Sequence, residues 1–132
     1  MRFILFTGLL LSVWACSNNQ QEVLENTWKV ESYKMSDSDS LKNTNQTYIL
    51  SFADRRNFSF KLDVNTCGGT VDFKPNNIVV FSQSPTCTEA CCDGAFSLGA
   101  LAALKQVNRF ELLNERLTLS GNNGLRIDLV KN

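Results

Sequence analysis

The chain has 132 residues, 13 basic and 13 acidic side chains, and no histidine. Without imidazole, the Ser-His-Asp and Cys-His nucleophile arrangements and any zinc site built on histidine are excluded. The even charge leaves no electrostatic footprint for nucleic acid and no basic stripe for anionic lipid. The expectation is a non-enzyme with a binding or structural role and no cofactor.

The first segment has the layout of an export signal. Arg2 is followed by an apolar run from Phe3 to Trp14, broken only by Thr7, Gly8 and Ser12, and Ala15 stands directly before Cys16. The run is too short to span a bilayer as a permanent helix. With a cysteine at the cleavage point it resembles a bacterial lipoprotein signal, in which that thiol is acylated and becomes the new N-terminus. Trp14 departs from the small residue usual before the alanine. The alternative is an ordinary signal peptide cut nearby, with Cys16 unmodified. Cleavage before Cys16 leaves 117 residues and removes only the Arg2 charge, which is enough chain for one domain with one core. Attachment to the membrane would then come from acyl chains, since two or three anchor stably where one does not. Ser17 after the cysteine is compatible with the outer membrane. Residues 1–15 are read as the signal, 16–22 as the lipidated cysteine with a polar tether, and 23–132 as the folded domain.

Beyond the tether, Thr27 to Tyr33 reads as a first strand with Trp28, Val30 and Ser32 on one face. Met35 to Gln46 is a loop rich in Ser, Asp and Asn. Tyr48, Leu50 and Phe52 alternate with their neighbours. After the polar turn Asp54-Arg55-Arg56-Asn57, so do Phe58, Phe60, Leu62 and Val64, giving a hairpin with one buried face. Gly68-Gly69 breaks the chain before a short strand, Thr70 to Phe73. Pro75-Asn76-Asn77 signals a turn into Ile78 to Phe81. Ala95 to Val107 changes period: Phe96, Leu98, Leu101, Leu104 and Val107 are mostly three apart, which predicts a helix. Strands return at Arg109 to Leu113, Arg116 to Leu119 and Leu125 to Val130, joined by Asn114-Glu115 and Gly121-Asn122-Asn123-Gly124. About eight strands and one helix make a mostly-β (α+β) domain, a single curled antiparallel sheet or partial barrel with the helix packed on it.

Four cysteines remain once Cys16 is set aside: Cys67, Cys87, Cys91 and Cys92. An even count in an exported domain reads as a disulfide framework. Joining the neighbours Cys91 and Cys92 would need a strained ring, so the expected pairing is Cys67 with one of them and Cys87 with the other. The Cys67 link would close a loop of about 25 residues, worth roughly 3 kcal/mol in the chain-entropy model. Four thiolates could instead hold zinc, but the spacing lacks paired Cys-x2-Cys units. Thiol–disulfide exchange would want a cation beside the cysteines, whereas Glu89 and Asp93 flank them.

Other features have plainer readings. Gly68 and Gly69 serve backbone geometry rather than an anion. Trp28, Tyr48, Phe52, Phe58, Phe60 and Phe81 are core aromatics, although a closed barrel left unfilled could hold a small apolar ligand as a lipocalin does. Asp37-Ser38-Asp39-Ser40 lacks the glycine and terminal glutamate of a calcium loop, and Arg55-Arg56 is a solvated turn.

The order of these pieces resembles the META domain family (HslJ-like outer-membrane lipoproteins). The resemblance rests on Asn26-Thr27-Trp28-Lys29-Val30, on Asn65-Thr66-Cys67-Gly68-Gly69-Thr70, on Thr88-Glu89-Ala90-Cys91 ahead of a helix, and on the closing hairpins. It covers about residues 24–131. The doubled cysteine at 91–92 and the position of Cys67 depart from the plainest family pattern. The resemblance implies a small β-rich envelope domain tied to the outer membrane by lipid, with a structural or binding role, a possible envelope protein partner, and no reaction.

Overall fold

A computed structural model describes residues 15–132. In chain order it runs α1 (Ala15–Glu25), β1 (Trp28–Lys34), β2 (Lys42–Asn43), β3 (Ile49–Phe52), β4 (Asn57–Lys61), β5 (Thr66–Lys74), β6 (Ile78–Phe81), β7 (Thr86–Cys87), α2 (Ala95–Leu104), β8 (Val107–Leu113), β9 (Arg116–Gly121), a 3-10 turn (Asn122–Gly124) and β10 (Arg126–Lys131). Eight strands hydrogen-bond in the order β10-β9-β8-β6-β5-β4-β3-β1, and β1 pairs back onto β10. The sheet therefore closes into an antiparallel barrel rather than stopping at a curl, and closure removes the free edges that would template association. The short strands β2 and β7 extend the pairing of β1 and β5.

Alternation places the core as the sequence predicts along most strands. Leu50, Phe58, Phe60, Leu117, Leu119, Ile127 and Leu129 are all buried. In β1 the alternation slips at a bulge between Val30 and Ser32, so Tyr33 joins Ser32 on the inside. A bulge adds one residue to a strand and re-aims the side chains after it. Val64, expected in the buried series, is 53% exposed. The chain leaves β4 at Lys61 and turns, with the Leu62 N–H donating to the Asn65 carbonyl at 2.8 Å.

Gly68 and Gly69 do not break the chain. They pair with Ser59 and Phe58 in the middle of β5. A Cβ on Gly69 would strike the Ser82 hydroxyl and come within 3.1 Å of the Phe58 ring, so the glycine serves close approach rather than a turn. True turns lie at Asn114-Glu115, with φ of 49° and 62°, and at Asn76-Asn77, with φ of 64° and 58°. The first joins β8 to β9 through two left-handed residues, the geometry that suits the twist of a two-residue hairpin.

The polar stretch expected as a tether is instead the body of α1. That helix docks mainly through its last turn: Val23 is buried, and the Trp28 indole N–H donates to the Val23 carbonyl at 2.9 Å. A helix held by one end needs no apolar stripe along its length, which is why the pattern is blank. The second helix is three residues shorter than predicted and buries a different face. Ser97, Ala100, Ala103 and Leu104 are inward, while Leu98 is 50% exposed. Small side chains let α2 sit close against β1 and β10.

Candidate functional site

Two of the segments that carry the family resemblance, Asn65–Thr70 and Thr88–Cys91, meet, and Asn65 joins them. The residue is buried, with 7% of its surface exposed. Nδ2 donates to the Ala90 carbonyl at 2.7 Å and to Asp93 Oδ2 at 2.6 Å. Oδ1 accepts from the Ala90 N–H at 2.9 Å and from the Thr88 hydroxyl at 2.8 Å. Asn65 thus pairs with both backbone groups of Ala90, as a neighbouring strand would. Thr88 Oγ1 in turn accepts from the Thr66 N–H at 3.1 Å. Asp93 Oδ1 receives the Val64 N–H at 2.9 Å and the Asn65 N–H at 3.2 Å. Burial works to raise the Asp93 pKa, but these hydrogen bonds prevail and hold it below the usual carboxylate range.

Asp63 fixes the start of α2 from the same turn. Its carboxylate accepts from the Ser97 hydroxyl, from the Gly94 N–H at 2.8 Å and from the Tyr48 hydroxyl at 2.8 Å. Gly94, the residue at the cap, supplies no side chain, so a distant carboxylate takes the place of a local cap and meets the positive end of the helix dipole. The Ser97 bond first, then those from Gly94 and Tyr48, lower the Asp63 pKa. The Tyr48 phenol is pushed up to about 12, chiefly by burial and then by its bond to Asp63. Sequence reading missed Asp63 and the anchoring role of Asp93 because their partners lie 15 to 34 residues away. The Asn65 and Thr88 segments were visible only as separate motifs.

The cysteines pair otherwise than expected. Cys67 bonds to Cys87 across the β5–β7 pairing, with Cα atoms 4.0 Å apart, and Cys91 bonds to its neighbour Cys92. Register is the reason: β7 sets Cys87 directly opposite Cys67, and Asn65 holds the following loop so that Cys91 and Cys92 face outward. Cys67 is fully buried and both neighbours are exposed. The sulfurs lie in two separate bridges, so they do not gather into a four-thiolate site. The Cys67–Cys87 bridge spans 20 residues of sequence, worth about 3 kcal/mol by loop closure.

Other sequence candidates fall where plainer roles suffice. Cys16 lies in the first turn of α1, and the preceding signal lies outside the described residues apart from Ala15. The aromatics pack on one another, Phe58 against Phe81 with centroids 5.1 Å apart and Tyr48 against Phe96 at 5.3 Å. Inside the barrel, Val30, Leu50, Phe60, Ala100, Leu104 and Ile127 leave a cavity of about 10 Å³, room for one water at most. Asp37 pairs with Lys34 at 3.2 Å on the surface. Among the described residues no three His, Cys, Asp or Glu side chains are gathered as metal ligands, and no helix is long and apolar enough to cross a membrane.

A closed eight-stranded barrel, filled by its own side chains and carrying a helix tied down at one end, defines a small β-barrel class. The META domain family model matches residues 15–132, and the chain belongs to that family. An NMR structure of a protein from Burkholderia xenovorans is similar with a TM-score of 0.70 at 14% identity, covering 100% of this chain and 99% of its own. A crystal structure of a DUF4847 family protein from Bacteroides vulgatus has a TM-score of 0.64 at 12% identity, covering 86% of this chain and 97% of its own. At such identities the likeness is one of fold. No curated protein matches the chain in sequence.

Proposed function

We propose that this META-domain protein is an envelope lipoprotein, acylated at Cys16 and held at the outer membrane, whose barrel has a non-catalytic structural or binding role. The filled interior is the observation that carries the role: with a cavity of about 10 Å³, recognition falls to the outer surface, including any contact with an envelope protein partner. The anchor reading rests on the Val13-Trp14-Ala15-Cys16 segment. Because α1 begins at Ala15, acyl chains on Cys16 would hold the barrel close to the bilayer rather than at the end of a long tether.

Fatty-acid labelling in cells, with intact mass of the purified mature protein, tests the anchor. Acylation at residue 16, abolished in Cys16→Ala, is the expected result; a cut elsewhere without acyl mass refutes it. Titration with a fluorescent fatty acid tests the role. The filled barrel gives no saturable binding, whereas one-to-one binding would revive the lipocalin-like carrier.

A further inference from the structure

The two bridges are built for different ends. Cys67–Cys87 is buried and ties two strands. Cys91–Cys92 is exposed, joins residues one apart in sequence and links no two elements. Closing so short a loop removes almost no freedom from the unfolded chain, so this bridge is no staple. Its loop is held by other means: Ala90 is bonded through both backbone groups to Asn65, and Asp93 grips the Val64 and Asn65 N–H groups. The flanking residues on both sides therefore stay in place whether or not the sulfurs are joined.

We propose that Cys91–Cys92 is a reversible redox site that exchanges with an external dithiol while Cys67–Cys87 stays closed. The incoming thiolate attacks one sulfur, the S–S bond breaks, and its electron pair leaves on the other cysteine, which takes up a proton. The second thiolate of the donor then attacks the mixed disulfide and releases the first cysteine as a thiol. The pair gains two electrons and two protons, and the donor departs as a disulfide; a neutral external disulfide runs the same steps backwards. The acidic surroundings choose the partner. Glu89 and Asp93 flank the pair, and Asp63 occupies the start of α2 that could otherwise stabilise a thiolate. Anionic thiols are repelled, so a neutral dithiol is the preferred donor.

The test is timed reduction of the folded, oxidised protein with dithiothreitol, followed by alkylation and peptide mapping. Cys91 and Cys92 are expected to label together at least tenfold faster than Cys67 and Cys87, with the melting temperature unchanged within about 3 °C. Labelling of all four at rates within tenfold, a larger fall in melting temperature, or a starting map in which Cys67 or Cys87 is bonded to Cys91 or Cys92 overturns the proposal. The double variant Cys91→Ser, Cys92→Ser should fold as the parent does and lose the fast phase; a surviving fast phase also overturns it. These readouts hold whether or not Cys16 is acylated.

Discussion

Replacing Asn65 with alanine removes four hydrogen bonds at once and leaves the loop before α2 without its central tie. Two of the lost bonds are to the Ala90 backbone, one is to Thr88 and one is to the Asp93 carboxylate. A neutral bond contributes about 0.5–1 kcal/mol net, and one to an ionised acceptor about 1.5 kcal/mol. The gross sum is about 3–4.5 kcal/mol. Ala90 and Thr88 are exposed and can turn to water, which trims the expected loss to about 2–3 kcal/mol. For a domain of this size that is a fall of roughly 10 °C in melting temperature. Urea unfolding gives the energy, and amide exchange at Ala90 reports the loop itself. A loss below about 0.5 kcal/mol, with the Ala90 amide still as slow as in the parent, would refute the view that Asn65 holds the loop.

Gly99→Ala places a Cβ on the Tyr33 hydroxyl and is expected to cost about 2 kcal/mol by overpacking. Gly94→Ala, whose Cβ would meet the Asp63 carboxyl group, Oδ2 nearest at 3.3 Å, should lose under about 1 kcal/mol, so equal costs measured in urea would contradict the packing of α2. Trp28→Phe removes the indole donor to Val23, at about 1–2 kcal/mol, and hydrogen exchange should quicken through α1 more than in the barrel. Asp63 and Asp93 are held below their unfolded pKa values, so their stabilisation is present above the usual carboxylate range and is lost as pH falls through the depressed values. Denaturation midpoints should therefore drop in acid, and less steeply in Asp63→Asn; an unchanged acid slope in that variant would count against the network. Tyr48 should ionise only near pH 12, and ultraviolet titration of Asp63→Asn should find it lower.

The sequence by itself determined the local choices. Period-two alternation marked β3 and β4, because one face of each strand is buried and the other wet, and turn residues set off the runs that form β6, β9 and β10. Asn114-Glu115 announced its hairpin, and the run from Ala95 announced a helix. The Trp28, Asn65 and Thr88 segments, taken in order with the closing hairpins, pointed to the family. Tertiary structure decided whatever depends on residues distant in the chain. Closure needs β1 to meet β10, a pairing between opposite ends of the domain, and no local pattern encodes it. The inward face of α2 was misread because apolar size, rather than room to approach the barrel, was the visible signal. α1 looked like a tether because one buried valine and one indole bond hold it. Cysteine pairing followed the same rule: β7 is two residues long, too short to show as a strand, yet its register sets Cys87 against Cys67. That leaves Cys91 only its neighbour, so the division into a buried staple and an exposed pair was made by strand register and not by spacing along the chain.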